Sequence, residues 1–494
     1  MGFARGAGVL LSVTSLPSAY GIGTLGYEAY RFVDTLFNMK QRYWQVLPLG
    51  PTSYGDSPYQ AFSAFAGNPY LIDLDMLIKD ELLTYEEVHS FNWGESEKDV
   101  DYGVLFENRY KVLRMAFARF DTRNKEFIQF YNKNIFWIED YSLFMALKEK
   151  NGNSSWITWE EALRDREAEA IKMAKKELEE QILFWEFCQF KFYEQWKQLK
   201  EYANQHSVEI IGDVPLYVAL DSADVWAHAE EFQLNADKTP SLVSGCPPDV
   251  FSITGQRWGN PLFDWDVMEA NDFSWWRARV RSSAVLFDII RLDHFVGMVR
   301  YYSIPEEETD GRNGIWRKAP GKKLTEAIKA ELGEKGKVIV EDFGASIPGV
   351  GKLSKKNGWP GMEILLFAFG EDSDHGSLPH NYQDTNRVVY AGTHDNATIV
   401  GYFKEKSEEE LEYLYDYLNI HSKEEIPDAL IRLAYSSVAD IVILQLQDIL
   451  KLDNEARMNL PSTVGRNWRW RLWNDAITEE RMEFIRKMTT LYRR

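Results

Sequence analysis

Eight short apolar runs, separated by longer segments of helical period, constrain this sequence more than any other feature. They occupy 9–13, 44–49, 208–211, 285–290, 337–340, 363–367, 387–390 and 441–444. Near-continuous apolar runs of this length suit strands buried on both faces, as in a parallel sheet. Parallel strands need crossover connections, usually helices, so eight strand–helix units predict an α/β fold, a closed (β/α)8 TIM barrel. The gap between the second and third runs is far longer than one crossover. Its 160–182 stretch is rich in Glu, Lys and Ala, with a Glu160/Arg164 pair at i,i+4 spacing. The aromatic set Phe184, Trp185, Phe187, Phe190, Phe192, Tyr193 and Trp196 follows at spacings that suit buried helix faces. The expectation is one barrel over 1–494, with 70–205 a mainly helical insertion.

In such a barrel, function sits at the carboxyl ends of the strands. Ile211 is followed by Gly212-Asp213, Ile290 by Arg291-Leu292-Asp293-His294, Val340 by Glu341-Asp342, and Tyr390 by Ala391-Gly392-Thr393-His394-Asp395-Asn396. One carboxylate after a strand is an ordinary helix cap. Four in one register point to a shared pocket, which suits either a hard cation or cleavage of a glycosidic bond. The neighbours favour sugar. Arg291 beside Asp293 suits an ionised carboxylate rather than a metal cage. The nearby loops hold Tyr54, Tyr59, Phe251, Gln256, Trp258 and Asn260, faces for sugar rings and amides for their hydroxyls. Asp342 should point away from the pocket, because neighbours along a strand alternate.

Composition agrees. With 56 basic against 76 acidic residues the net charge is −20, which lacks the basic face that nucleic acid or an anionic membrane demands. No run approaches the roughly 18 apolar residues of a membrane span. No signal peptide is read at the start. Two cysteines, Cys188 and Cys246, cannot alone build a disulfide framework or closed zinc site, so a reducing, cytoplasmic setting is expected. Both read as small hydrophobes.

In order and spacing the motifs resemble the 4-α-glucanotransferase family (amylomaltase or disproportionating enzyme, glycoside hydrolase family 77) of the α-amylase-related superfamily, essentially end to end. They include Ser15-Leu16-Pro17-Ser18-Ala19-Tyr20-Gly21-Ile22-Gly23, Trp44-Gln45-Val46-Leu47-Pro48-Leu49-Gly50-Pro51, Tyr54-Gly55-Asp56-Ser57-Pro58-Tyr59-Gln60, Gly255-Gln256-Arg257-Trp258-Gly259-Asn260-Pro261 and the four strand-end motifs above. The resemblance implies transfer of α-1,4-glucan segments between maltooligosaccharides, with glucose as acceptor or product, by a retaining mechanism without cofactor or metal. It implies Asp293 as nucleophile, Glu341 as general acid/base and Asp395 as the carboxylate holding the donor sugar. Arg291 and His394 would support that subsite, with His294 and Asn396 beside them. Asp213 would be a pocket carboxylate and Tyr59 would stack under the donor ring. Tyr54 is a further stacking candidate, and the loop around Asp249, Phe251, Gln256 and Trp258 would cover the acceptor. Asp293 should then be ionised under the influence of Arg291, Glu341 protonated in a dry pocket, and the two carboxyl groups about 5–5.5 Å apart. Leu460-Pro461-Ser462-Thr463 departs from the usual Pro-Gly-Thr of the family, and serine tolerates positive φ poorly. An α-glucan hydrolase of the same fold and a non-catalytic glucan-binding protein are the competing readings. Oligomeric state and chain-length preference are left open.

Overall fold

The structure, a computed structural model, describes residues 3–53, 55–249, 252–342, 347–369 and 375–494. Its strands in chain order are β1 (Gly6–Leu10), β2 (Tyr43–Gln45), β3 (Glu209–Val214), β4 (Leu242–Cys246), β5 (Gln256–Pro261), β6 (Ile289–Leu292), β7 (Arg300–Pro305), β8 (Ile315–Lys318), β9 (Val338–Val340), β10 (Gly361–Ile364), β11 (Arg387–Tyr390) and β12 (Ile441–Gln445). Eight of them form one parallel sheet in the order β10-β11-β12-β1-β2-β3-β6-β9. Its ends meet where the Val340 N–H donates to Pro360 O at 3.0 Å and the Met362 N–H donates to the Asp342 carboxylate at 2.9 Å. Asp342 thus turns outward to seal the barrel, while Glu341 faces the opposite way.

All eight expected runs supply a barrel strand, with shifted bounds. The 9–13 run overlaps β1 only at Val9 and Leu10, and the 44–49 run outlasts β2, which ends at Gln45. Val285 and Leu286 belong to the end of the Ser274–Leu286 helix, and β6 begins only at Ile289. An apolar run cannot by itself separate a helix end from a strand start. The 363–367 run starts two residues late, since β10 is Gly361–Ile364 and a 3₁₀ turn, Leu365–Ala368, follows.

Between β2 and β3 the chain forms helices that include Tyr102–Phe117, Lys125–Lys150, Glu161–Arg164, Ala168–Glu177 and Glu179–Gln205. The 160–182 stretch is divided among three helices. Arg164 accordingly pairs with Asp165 at 2.9 Å rather than with Glu160. The Glu179–Gln205 helix runs straight into β3 and carries the aromatic run, most of it fully buried. Gln189 on this helix brackets the backbone of Gly67 with two bonds at 2.7 and 2.9 Å, and a Cβ on Gly67 would lie 2.0 Å from the Phe192 ring. Aromatic burial here locks helices to barrel through one continuous apolar core.

The sequence reading did not anticipate a second sheet. β4, β5, β7 and β8 form an antiparallel sheet in the order β5-β4-β7-β8, with a small core of Val243, Tyr302 and Ile304. Its strands are as long as those of the barrel but interleave polar residues and glycine with apolar ones, and β8 is largely exposed. They therefore lack the apolar runs that marked the barrel. Among the described residues no helix is long and apolar enough to cross a membrane.

Candidate active site

Neighbouring strands β3, β6 and β9 place the acids. Asp213 on β3 pairs in register with Arg291 on β6. Asp293 lies just beyond β6, and its N–H donates to Val214 O at 3.1 Å. Glu341 lies just beyond β9, and its N–H donates to Leu292 O at 3.0 Å. Backbone pairing thus continues past the strands and fixes both acids at the barrel mouth.

Arg291 joins them. Its Nη1 lies 2.6 Å from both oxygens of Asp213 and 3.0 Å from Asp293 Oδ1, and its Nη2 lies 3.0 Å from Glu341 Oε2. Glu341 Oε2 also accepts the His294 backbone N–H at 2.9 Å. That N–H is aimed by a left-handed backbone at His294, φ 47°, a conformation costly for a non-glycine residue. Asp293 and Glu341 are bridged by this one guanidinium and lie close enough to influence each other's charge.

These contacts set the protons. Burial works to raise Glu341, but Arg291, the bond to Asp293 and the His294 N–H outweigh it and bring its carboxyl down to about 2. Burial and the Glu341 charge push Asp293 well above the usual carboxylate range, against Arg291. The same set of contacts thus drives the two carboxyls in opposite directions, and their protons belong to the pair. The reason is geometric: Glu341 is turned onto two fixed donors, and Asp293 shares its guanidinium nitrogen with Asp213. Burial lowers His294 to about 4, so its ring is neutral at pH 7.

Above the acids lies a cleft of about 800 Å³, lined by Tyr59, Asp249, Gln256, Trp258, Asp293, His294, Glu341 and Asp395 among others. β4, β5 and the residues 247–249 that follow β4 form one wall. Trp258 meets the His294 ring edge-on, centroids 4.7 Å apart, and its Nε1 donates to Gln256 Oε1 at 3.1 Å. Gln60 Nε2 donates to Asn260 Oδ1 at 3.0 Å, tying this wall to the loop after β2. Cys246 lines the same wall, and burial pushes its thiol up to about 12, as suits an inert side chain.

Four of the expected residues do not line the cleft themselves. Asp213, Arg291 and His394 are buried beneath the cleft floor rather than lining it. Tyr59 spans the boundary. Its ring stacks on His394 at 5.3 Å, and its hydroxyl lies 2.8 Å from Asp213 Oδ2 and 2.9 Å from His394 Nε2. Asn396 turns inward, its Oδ1 accepting the Thr393 N–H at 2.8 Å to close the loop that carries Asp395. Tyr54 and Phe251 lie outside the described residues.

Three further residues escaped the sequence reading: Arg457, Asn459 and Trp468. Trp468 packs 5.6 Å from Tyr59 and 5.9 Å from His394. All three flank the Leu460-Pro461-Ser462-Thr463 departure, and that irregularity was the one available signal. Ser462 does adopt positive φ, 63°. Among the described residues no group of three or more His, Cys, Asp or Glu side chains could hold a metal ion, and the centre of the carboxylates is filled by the Arg291 guanidinium.

A parallel barrel that delivers an arginine-bridged carboxylate pair into an aromatic-walled cleft defines a carbohydrate-active barrel enzyme. Comparison with known proteins narrows the class. The model of the glycoside hydrolase family 77 4-alpha-glucanotransferases matches residues 11–476. The 4-alpha-glucanotransferase of Clostridium butyricum is 46% identical over 487 residues, covering 98% of this chain and 100% of its own. The chloroplastic/amyloplastic 4-alpha-glucanotransferase of Arabidopsis thaliana is 40% identical over 499 residues, covering 99% of this chain and 86% of its own. The amylomaltase of Streptococcus agalactiae, solved with acarbose, superposes with a TM-score of 0.95 at 40% identity, covering 99% of each chain. This chain belongs to the 4-alpha-glucanotransferase family, and it is an enzyme of that activity.

Proposed function

We propose that this chain transfers α-1,4-glucan segments between maltooligosaccharides by a retaining double displacement, in a cytoplasmic setting and without cofactor or metal. Asp293 attacks the anomeric carbon as its carboxylate. As the C1–O bond of the donor breaks, Glu341 gives its proton to the departing 4-oxygen, leaving a covalent glycosyl–Asp293. A 4-hydroxyl of the acceptor then attacks C1, Glu341 takes its proton, and the bond to Asp293 breaks. Glucose serves as the smallest acceptor or leaving product. Each half-reaction inverts the anomeric carbon, so the overall configuration is retained.

For the first step Asp293 must be ionised and Glu341 protonated, so the proton that the pair shares ends on Glu341. A glycosidic oxygen in the cleft gives Glu341 an acceptor to turn towards, which draws it off Arg291. Asp395 grips donor-ring hydroxyls. Tyr59 stacks beneath that ring, held by Asp213 and His394, and Trp258 with Gln256 covers the acceptor side. Water exclusion by this wall favours a sugar hydroxyl over water as second nucleophile.

The observation that carries the mechanism is the single guanidinium that reaches both Asp293 and Glu341 and holds the two acids close together. Inverting enzymes keep their acids about 6.5–9.5 Å apart to admit a water, whereas retaining ones hold them close. Incubation with maltotriose tests it. The expected result is glucose plus longer chains at constant total reducing ends, abolished in Asp293→Asn. Rising reducing ends would mark a hydrolase, and substantial turnover by Asp293→Asn would remove the nucleophile assignment.

A further inference from the structure

The side chain that holds Asp395 comes from a segment to which the reaction scheme gives no part. Asn459, 64 positions along the chain, donates its Nδ2–H to Asp395 Oδ1 at 2.6 Å. Its backbone N–H donates to His394 O at 3.1 Å. Arg457 donates from Nη2 to the Asp395 carbonyl and from Nε to Asn459 O at 2.7 Å. One short strap therefore grips the main chain of His394 and Asp395 together with one carboxylate oxygen.

The strap is itself rigid. Beyond it, residues 460–467 fold back on Asn467, whose side chain accepts the Leu460 N–H at 3.0 Å and donates to Thr463 O at 3.0 Å. The chain then returns through Trp468, which packs on Tyr59 and His394. Asp395 has no comparable anchor of its own. Its side chain is about one-third exposed at the cleft edge, and its other oxygen lies 3.4 Å from His394 Nε2. Free carboxylates of this kind sample several rotamers, and catalysis needs one.

We propose that Asn459 is a positioning residue for the transfer reaction, acting through Asp395 by fixing its rotamer. The proposal rests on the reading of Asp395 as the donor-sugar carboxylate. The amide N–H gives Oδ1 one directional hydrogen bond to accept, which holds that oxygen in place. The other titratable or charged groups facing Asp395 are His394 on its own loop, Arg457 on the strap and the Tyr59 hydroxyl on the loop after β2. None donates to Oδ1 in place of Asn459.

Three variants test this, with initial rates of maltotriose disproportionation measured across pH and folding checked by thermal melting. Asn459→Ala should lower kcat by about 10- to 100-fold, the value of one charge-assisted bond, while KM moves less than about three-fold. Asn459→Asp keeps the shape but sets acceptor against acceptor, so one of the two carboxyls must hold a proton. Its activity relative to the natural protein should therefore fall as pH rises from about 5 to 8, a signature that lost packing would not produce. Asp395→Asn is the control for the underlying reading. If it turns over normally, the role of Asp395 falls. If it is inactive while Asn459→Ala stays within about three-fold in kcat, or while the Asn459→Asp ratio is flat with pH, the positioning role of Asn459 falls alone.

Discussion

Replacing Arg291 by lysine keeps a cation at the centre of the site and removes only the fork. The arginine uses both arms: Nη1 serves Asp213 and Asp293, and Nη2 serves Glu341 at 3.0 Å. A lysine has one nitrogen and can occupy one of these positions. The paired position beside Asp213, which is wholly buried, is the costlier to leave empty, so the Glu341 contact is the one lost. A charge-assisted hydrogen bond contributes about 1.5–3 kcal/mol, which converts to a loss of roughly 10- to 150-fold in kcat/KM. The pH profile gives a second, independent reading. Arg291 is the largest influence that lowers the Glu341 carboxyl to about 2, against burial. Without it the acid pair binds its protons more tightly, and the acid limb of kcat/KM moves to higher pH. Stability follows the same sign. A depressed carboxylate stabilises the fold above its unfolded pKa, and that contribution fades as pH falls towards the folded value. Arg291→Lys should therefore be less stable than the natural protein in urea at pH 7, with the difference shrinking in acid. Initial rates of glucose release from maltotriose, taken across pH, measure the first two effects. A kcat/KM within about three-fold of the natural protein, with an unmoved acid limb, would refute the account of Arg291 as the bridge that sets both acids.

Two other perturbations follow from the same geometry. Trp258→Ala opens the wall against His294 and should raise the ratio of hydrolysis to transfer several-fold, read as new reducing ends per glucose released; an unchanged ratio contradicts water exclusion by this wall. Asp448, fully buried where it accepts the Ile399 N–H at 2.7 Å, is pushed by burial up to about 7, so the fold binds a proton that the unfolded chain releases near pH 4, and stability falls between those values by up to about 4 kcal/mol. Asp448→Asn should flatten that fall, gaining on the natural protein as pH rises from about 4 to 7 in chemical unfolding; parallel pH curves would show that Asp448 is not the source.

The barrel and its acids were legible because a local pattern encodes them. Each barrel strand is an apolar run, and Asp213, Arg291, Asp293 and Glu341 fall within or immediately after those runs, where the architecture must place them at the mouth. The antiparallel sheet had no such pattern. β5, reading Gln-Arg-Trp-Gly-Asn-Pro, is only partly covered and alternates weakly, so nothing in its composition separates strand from loop. Asn459 was hidden for another reason. Its bond to Asp395 crosses 64 positions, and no periodicity connects a loop amide to a distant carboxylate.

The electrostatics of the acid pair were the least legible feature, and their cause shows why. Residue types alone place an arginine beside Asp293. They do not show that the same guanidinium also serves Asp213 and Glu341, or that Glu341 Oε2 accepts the His294 backbone N–H. Arg291 and that N–H work to lower the Glu341 carboxyl against burial, whereas burial and the Glu341 charge work to raise that of Asp293. The contacts come from three neighbouring strands and from His294 at φ 47°, so no local pattern in the sequence records them.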